Sequence, residues 1–179
     1  MRNLKRVSLV SLVSVALLGT MALPANAADA DSKANQLTVQ VVGNGISIAP
    51  PLAITSEAIK PGADATFTME AVTVTDERAV TTPWVATVTL SEFAGQLLEN
   101  TLVPVSAKYD AALATKLTGA VTFTGDPTAL DVSMAPVTAQ QATTVSGNNT
   151  AAWDATLIVK APEQALADTY TATLTHSVS

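Results

Sequence analysis

The chain has 179 residues, with 9 Lys and Arg against 15 Asp and Glu, one His and no Cys. Nucleic acid is excluded as a partner, because phosphate binding needs clustered cations. A single His, no Cys and 4% aromatic residues leave little for metal or nucleophilic chemistry, so no cofactor and no metal are expected.

Residues 1–27 carry a basic start (Arg2, Lys5, Arg6), an apolar stretch from Val7 to about Leu23, and Pro24-Ala25-Asn26-Ala27 ahead of Ala28. This is the three-part pattern of a secretory signal, with cleavage expected after Ala27. Ser8, Ser11 and Ser14 interrupt the stretch, which is short of the ~20 apolar residues a membrane span requires. No span is expected in the mature protein. Removing the signal leaves 152 residues, one domain by length, with 6 cations, 15 anions and a net charge of −9. An exported chain without Cys fits a Gram-positive exterior.

Residues 28–35 form a short polar leader, and 36–179 read as one β domain. Past the signal there are 25 Thr and 16 Val but only 21 charged residues, a composition that favours strands because β-branched side chains pack well on a pleated surface. Strands are expected at about 36–42, 46–55, 65–75, 84–92, 117–124, 151–161 and 170–178. Gly43-Asn44-Gly45, Pro50-Pro51, Lys60-Pro61-Gly62, Gly125-Asp126-Pro127 and Gly147-Asn148-Asn149 punctuate them. Seven or more short strands with turns between them predict an all-β, antiparallel, immunoglobulin-like sandwich.

Three strands have readable faces. Trp84, Ala86, Val88 and Leu90 alternate with Thr87 and Thr89; Trp153, Ala155, Leu157 and Val159 alternate with Asp154, Thr156 and Lys160; Tyr170, Ala172, Leu174, His176 and Val178 alternate with Thr and Ser. The first set of each is expected inside. In the strand from Ala65, Phe67 and Met69 are odd while Val72 and Val74 are even, which predicts a bulge near Glu70 and Ala71. Residues 110–117 could form two helical turns capped by Asp110, and 162–167 one turn started by Pro162, or either could be a turn. Residues 126–150 read as a long loop or irregular excursion.

Two segments together resemble a known family. The first is Val72-Thr73-Val74-Thr75-Asp76-Glu77-Arg78, followed by Pro83-Trp84 and the strand to Leu90. The second is Trp153 to Val159, then Pro162, then Tyr170-Thr171-Ala172-Thr173-Leu174-Thr175-His176. This order resembles the WxL-type domain of Gram-positive surfaces over roughly residues 65–178. The resemblance implies a β-rich scaffold, noncovalent attachment to peptidoglycan, and signature positions Asp76, Arg78, Trp84 and Tyr170. His176 stands where the second signature Trp would be, and the first Trp-x-Leu reads Trp84-Val85-Ala86.

Each of these residues has two readings. Trp84 and Trp153 either pack in the core or expose a glycan-stacking ring. Asp76-Glu77-Arg78 is either a salt-bridged corner or an exposed polar patch meeting saccharide hydroxyls. His176 follows the inward parity and lacks a nucleophile placed by motif, so it reads as half-buried rather than as a catalytic base. The carboxylate pairs Asp76 with Asp154 and Glu92 with Glu99 have no context that would bury one of them, so a glycosidase pair is not expected. Calcium is not expected either, since no loop converges several oxygen ligands. Asn148-Asn149-Thr150 fits a glycosylation sequon and reads as an exposed loop. The expectation is a secreted, non-enzymatic surface module associating noncovalently with cell-wall glycan. Its rival is a structural or adhesive immunoglobulin-like subunit that binds other surface proteins and no glycan.

Overall fold

The computed structural model describes residues 38–51, 54–125 and 127–179; the expected signal (1–27) and leader (28–35) lie outside them. Eleven strands form among the described residues, all paired antiparallel and with no helix: β1 (Ile46–Ala49), β2 (Asp64–Asp76), β3 (Val85–Leu90), β4 (Phe93–Gly95), β5 (Thr101–Leu102), β6 (Ser106–Ala111), β7 (Thr115–Thr124), β8 (Leu130–Asp131), β9 (Val137–Lys160), β10 (Tyr170–Thr171) and β11 (Leu174–Val178). All fall in one unit, Gln40–Ser179.

The architecture hangs on β9, 24 residues long. Its C-terminal half pairs with β2 along one edge, from Asp64↔Lys160 to Asp76↔Asn149, and with β6 along the other. Its N-terminal half pairs with β3 (Val85↔Gln141) and with the end of β7. The order β1-β2-β9-β3-β11 begins and ends on strands that touch each other, β1 and β11, so the sheet nearly closes on itself. A small second sheet, β10-β4-β5, sits apart from this path.

The alternating faces fall as their periodicity predicts. Trp84, Ala86, Val88 and Leu90 are buried, as are Trp153, Ala155, Leu157 and Val159. The bulge lies between Met69 and Val72. Ala71 takes a left-handed φ of 55° there, and its N–H donates to Asp154 Oδ1 at 2.9 Å. The extra residue switches which parity points inward, which is why Met69 and Val72 are both core residues.

Several expectations are corrected. Residues 126–150 are not a long loop: β8 and the first half of β9 lie there, with Ala139, Ala142 and Val145 buried. Their small side chains supply an inward face without a conspicuous hydrophobic run. Residues 110–117 are not helical. They hold the end of β6, a turn and the start of β7. Buried Gln140 fixes that turn, accepting from Ala114 N at 3.0 Å and donating to Ala112 O at 2.7 Å, which satisfies backbone groups a helix would otherwise have paired. Residues 162–167 take the second of the two forms expected there, a turn closed by Ala165 N to Pro162 O at 3.1 Å. Of the strand expected over 36–42, residues 38–42 belong to no strand and 36–37 lie outside the described residues; the strand expected over 46–55 stops at Ala49. Pro50 and Pro51 have no N–H to continue the ladder.

The last predicted strand is split in two. Tyr170 and Thr171 pair with β4, and Leu174 to Val178 with β3. Ser91 holds the crossing point, its N–H donating to Thr173 O and its Oγ accepting from Thr173 N.

Candidate functional site

The signature residues separate into a framework and a rim. Asp76, at the end of β2, is 1% exposed and receives three bonds from Arg78: Nε to Oδ1 at 2.9 Å, Nη2 to Oδ2 at 3.0 Å and the backbone N–H to Oδ1 at 3.1 Å. Arg78 Nη2 also reaches Thr82 O. Asn149, opposite Asp76 in the β2–β9 register, donates from Nδ2 to Asp76 Oδ2 and accepts from Trp84 Nε1 at 3.3 Å on Oδ1. Burial by itself would push the Asp76 carboxyl up; hydrogen bonds from the Arg78 side chain and backbone, its charge, and Asn149 outweigh that and hold the carboxyl below its ordinary value.

This arrangement decides between the two readings of Trp84. Its exposure is 0%, and its ring meets Phe123 at a centroid distance of 5.7 Å. It presents no face on which a sugar could stack. Asp76 and Arg78 form the salt-bridged corner rather than an open polar patch. The expectation that nothing buries either carboxylate of the Asp76–Asp154 pair is corrected for Asp76, which the β2–β9 pairing draws inside. Asp154 stays exposed and serves the bulge. The sequon is no loop but lies within β9, with Asn149 buried.

A second buried chain of hydrogen bonds crosses the core. Trp153 Nε1 donates to Tyr109 Oη at 3.0 Å, and Tyr109 Oη lies 3.0 Å from His176 Nε2. The Tyr109 and His176 rings meet edge to face at 5.6 Å. Burial pushes the Tyr109 hydroxyl up to about 12 and the His176 imidazole down to about 4. His176 is therefore neutral at physiological pH, and its buried Nδ1 has no hydrogen-bond partner among the described residues.

His176 also lies on the floor of an open cleft of about 720 Å³. Phe67 and Met69 of β2, Leu157 and Val159 of β9, and Leu174 of β11 line it; residues 54–59 run along one wall and 168–173 along the other. Tyr170 stands on this second wall, its hydroxyl accepting from Asn100 Nδ2 at 3.0 Å and donating to Leu166 O at 3.1 Å. Beside it Asp168 accepts from the N–H groups of Leu97, Leu98 and Thr169. The Leu98 bond first, then those from Leu97 and Thr169, hold the Asp168 carboxyl below its ordinary value despite the opposing effect of burial. The loop fixed in this way carries Leu97 and Leu98 exposed at its tip.

Sequence reading missed Tyr109, Asn149 and Gln140, each a polar residue within an unrecognised strand. It also missed the cleft, which arises where strands fail to pair. No group of three or more potential metal ligands exists among the described residues. No helix among them is long and apolar enough to cross a membrane. Comparison of the chain with protein-family models, with curated proteins and with solved structures gives no match.

Proposed function

We propose that the protein is a secreted, non-enzymatic surface subunit of immunoglobulin-like sandwich type that holds a protein partner in its open apolar cleft. One observation carries this reading. The cleft lies between two strands, β2 and β11, whose edges along it pair with no strand among the described residues. Such a gap suits an extended chain, which adds main-chain hydrogen bonds to the edges and places alternate side chains on the floor. Burial of Trp84 supports the protein-binding reading over glycan stacking. The bonding of Asp76, Arg78 and Trp84 supports the WxL resemblance as a likeness of scaffold. The Nε2 of His176 is committed to Tyr109 and the ring is only 9% exposed at the cleft floor, which supports a non-enzymatic role.

The test offers the chain from Ala28 onward two ligands: a labelled peptide of alternating Thr and Val with Gly-Ser ends, followed by fluorescence anisotropy, and purified peptidoglycan, followed by pelleting. Peptide binding that persists when the ~8 Å screening length of physiological salt is shortened by added salt, and that Leu174→Asp abolishes, is expected. Pelleting with peptidoglycan while no peptide binds would overturn the proposal in favour of wall attachment.

A further inference from the structure

We infer that the cleft's occupant is residues 36–42 of a second copy of this chain, added as a strand between the free edges of β2 and β11. The inference rests on the strand-accepting reading of the cleft and names its partner.

Residues 36–42 read Gln-Leu-Thr-Val-Gln-Val-Val. Leu37, Val39 and Val41 alternate with Thr38 and Gln40, the pattern of a strand with one apolar face. Yet the described part of this segment joins no sheet, and Val39 and Val41 are 85% and 79% exposed. An alternating β-former left in water is an unmet pairing potential.

The cleft has the complementary defect. β1 pairs with β2 only from Ile46↔Asp76 to Ala49↔Thr73, and then Pro50-Pro51 and the bulge at Ala71 end the ladder. No strand among the described residues pairs with the outer edge of residues 64–69. Across the cleft β11 is the last strand of its path, and among the described residues it pairs with β3 alone. Seven extended residues span roughly 23 Å and the six residues 64–69 roughly 20 Å at about 3.3 Å each, so donor and gap match in length. Charge favours the same segment. Copies with a net charge of −9 repel, but residues 34–56 contain no charged side chain, so this stretch can approach another copy unopposed.

The donor cannot be the chain's own segment. Asn44 N donates to Glu77 O at 2.7 Å, and Gly43 lies so close to Arg78 that a Cβ would collide with its carbonyl oxygen. The chain ahead of β1 therefore leaves the sheet past Asp76, at the far end of β2 from residues 64–69. Arg78 to Met69 measures roughly 30 Å along an extended strand, and residues 36–42 reach only about 23 Å from Gly43. Gly43 thus lies at the end of β2 away from residues 64–69. The contact is heterologous, and each copy that donates leaves its own cleft free for the next, so association builds open rows rather than closed dimers.

Analytical ultracentrifugation of the chain from Ala28 onward should show a concentration-dependent series of oligomers. The donor variant Val39→Asp/Val41→Asp, altered only at exposed positions, should be monomeric, as should the acceptor variant Leu174→Asp. Mixed, the two should form a one-to-one dimer that grows no further. Should Leu174→Asp fail to fold, as circular dichroism would reveal, a labelled peptide of residues 35–43 replaces it: this peptide should bind the donor variant, and a Val41→Asp peptide at least about tenfold more weakly, the effect of losing one buried apolar side chain. A wild-type chain that stays monomeric, stops at a symmetric dimer, or assembles equally well with Val39→Asp/Val41→Asp would overturn the inference. If the 35–43 peptide fails while the Thr-Val peptide binds, this inference falls and the strand-accepting cleft stands. If both fail, the cleft reading falls too.

Discussion

The two ends of β2 obey opposite rules. At Asp76 the carboxylate, the guanidinium of Arg78, the amide of Asn149 and the indole of Trp84 satisfy one another in a sealed cluster. Along residues 64–69 one edge of the strand pairs with no strand among the described residues, beside an apolar cleft on whose floor lies a histidine whose Nδ1 has no hydrogen-bond partner among them. The difference teaches where to look for function here. Asp76, Arg78 and Trp84, the signature residues that are most distinctive in the sequence, build the closed end. The features fit for recognition lie at the open end, where pairing is incomplete.

The largest expected effect breaks the closed end. Trp84→Ala should lower stability by about 3 to 5 kcal/mol, the range for emptying a buried aromatic site, and Trp153→Ala should fall in the same range. Urea denaturation measures both, and an unchanged midpoint for Trp84→Ala would mean the closed end is not sealed. Next comes the response to acid, which reports on the cleft floor. Below about pH 6.5 the unfolded chain takes up a proton at His176, while the folded chain, with this imidazole pushed down to about 4, does not. Stability should therefore fall as pH drops from about 6.5 to about 4, by at most about 1.4 kcal/mol per unit and about 3 kcal/mol in all. His176→Gln should flatten that slope whatever its absolute stability, and a slope that survives would place the acid response elsewhere. At still lower pH, protonation of Asp76 should remove the stability its lowered carboxyl supplies above the ordinary carboxylate range.

Smaller effects sharpen the contrast. Asp76→Ala strands the Arg78 guanidinium, but that side chain is 22% exposed and water can reach it. The expected loss is about 2 kcal/mol by chemical denaturation, less than the ~3 to 5 typical of breaking a fully buried pair. Leu174→Ala, at the half-buried cleft wall, should cost about 1 kcal/mol or less. If the two losses prove equal, the open end is as much a part of the core as the closed one.

The sequence exposed those parts of the fold where period two coincides with large side chains. The strands of Trp84 and Trp153 can be read face by face, and the parity change from Met69 to Val72 marks the bulge in the sequence itself. The first half of β9 escaped because its inward residues are Ala139, Gln140, Ala142 and Val145, too small or too polar to signal burial. Asp110 looked like a helix cap because its neighbours are alanines, and only Gln140, distant in sequence, decides that they form a turn. The corner of Asp76 and Arg78 was legible from their two-residue spacing. Asn149, which completes it, was not, because its role exists only through the β2–β9 register. The cleft left no local trace beyond Pro50-Pro51, since a gap is defined by strands that do not meet.

The length and position of β9 also govern how the chain acquires its shape. β2, β3, β6 and β7 all precede it and share it as their common partner, and contacts such as Ala71 with Asp154 join residues 83 positions apart. Until residues 137–160 have emerged from the ribosome, β2, β3, β6 and β7 lack the partner they share. Folding dominated by such distant pairings is slow. A nascent chain of this design would stay unfolded through most of its synthesis, the condition in which a polypeptide can be threaded through a narrow translocation channel.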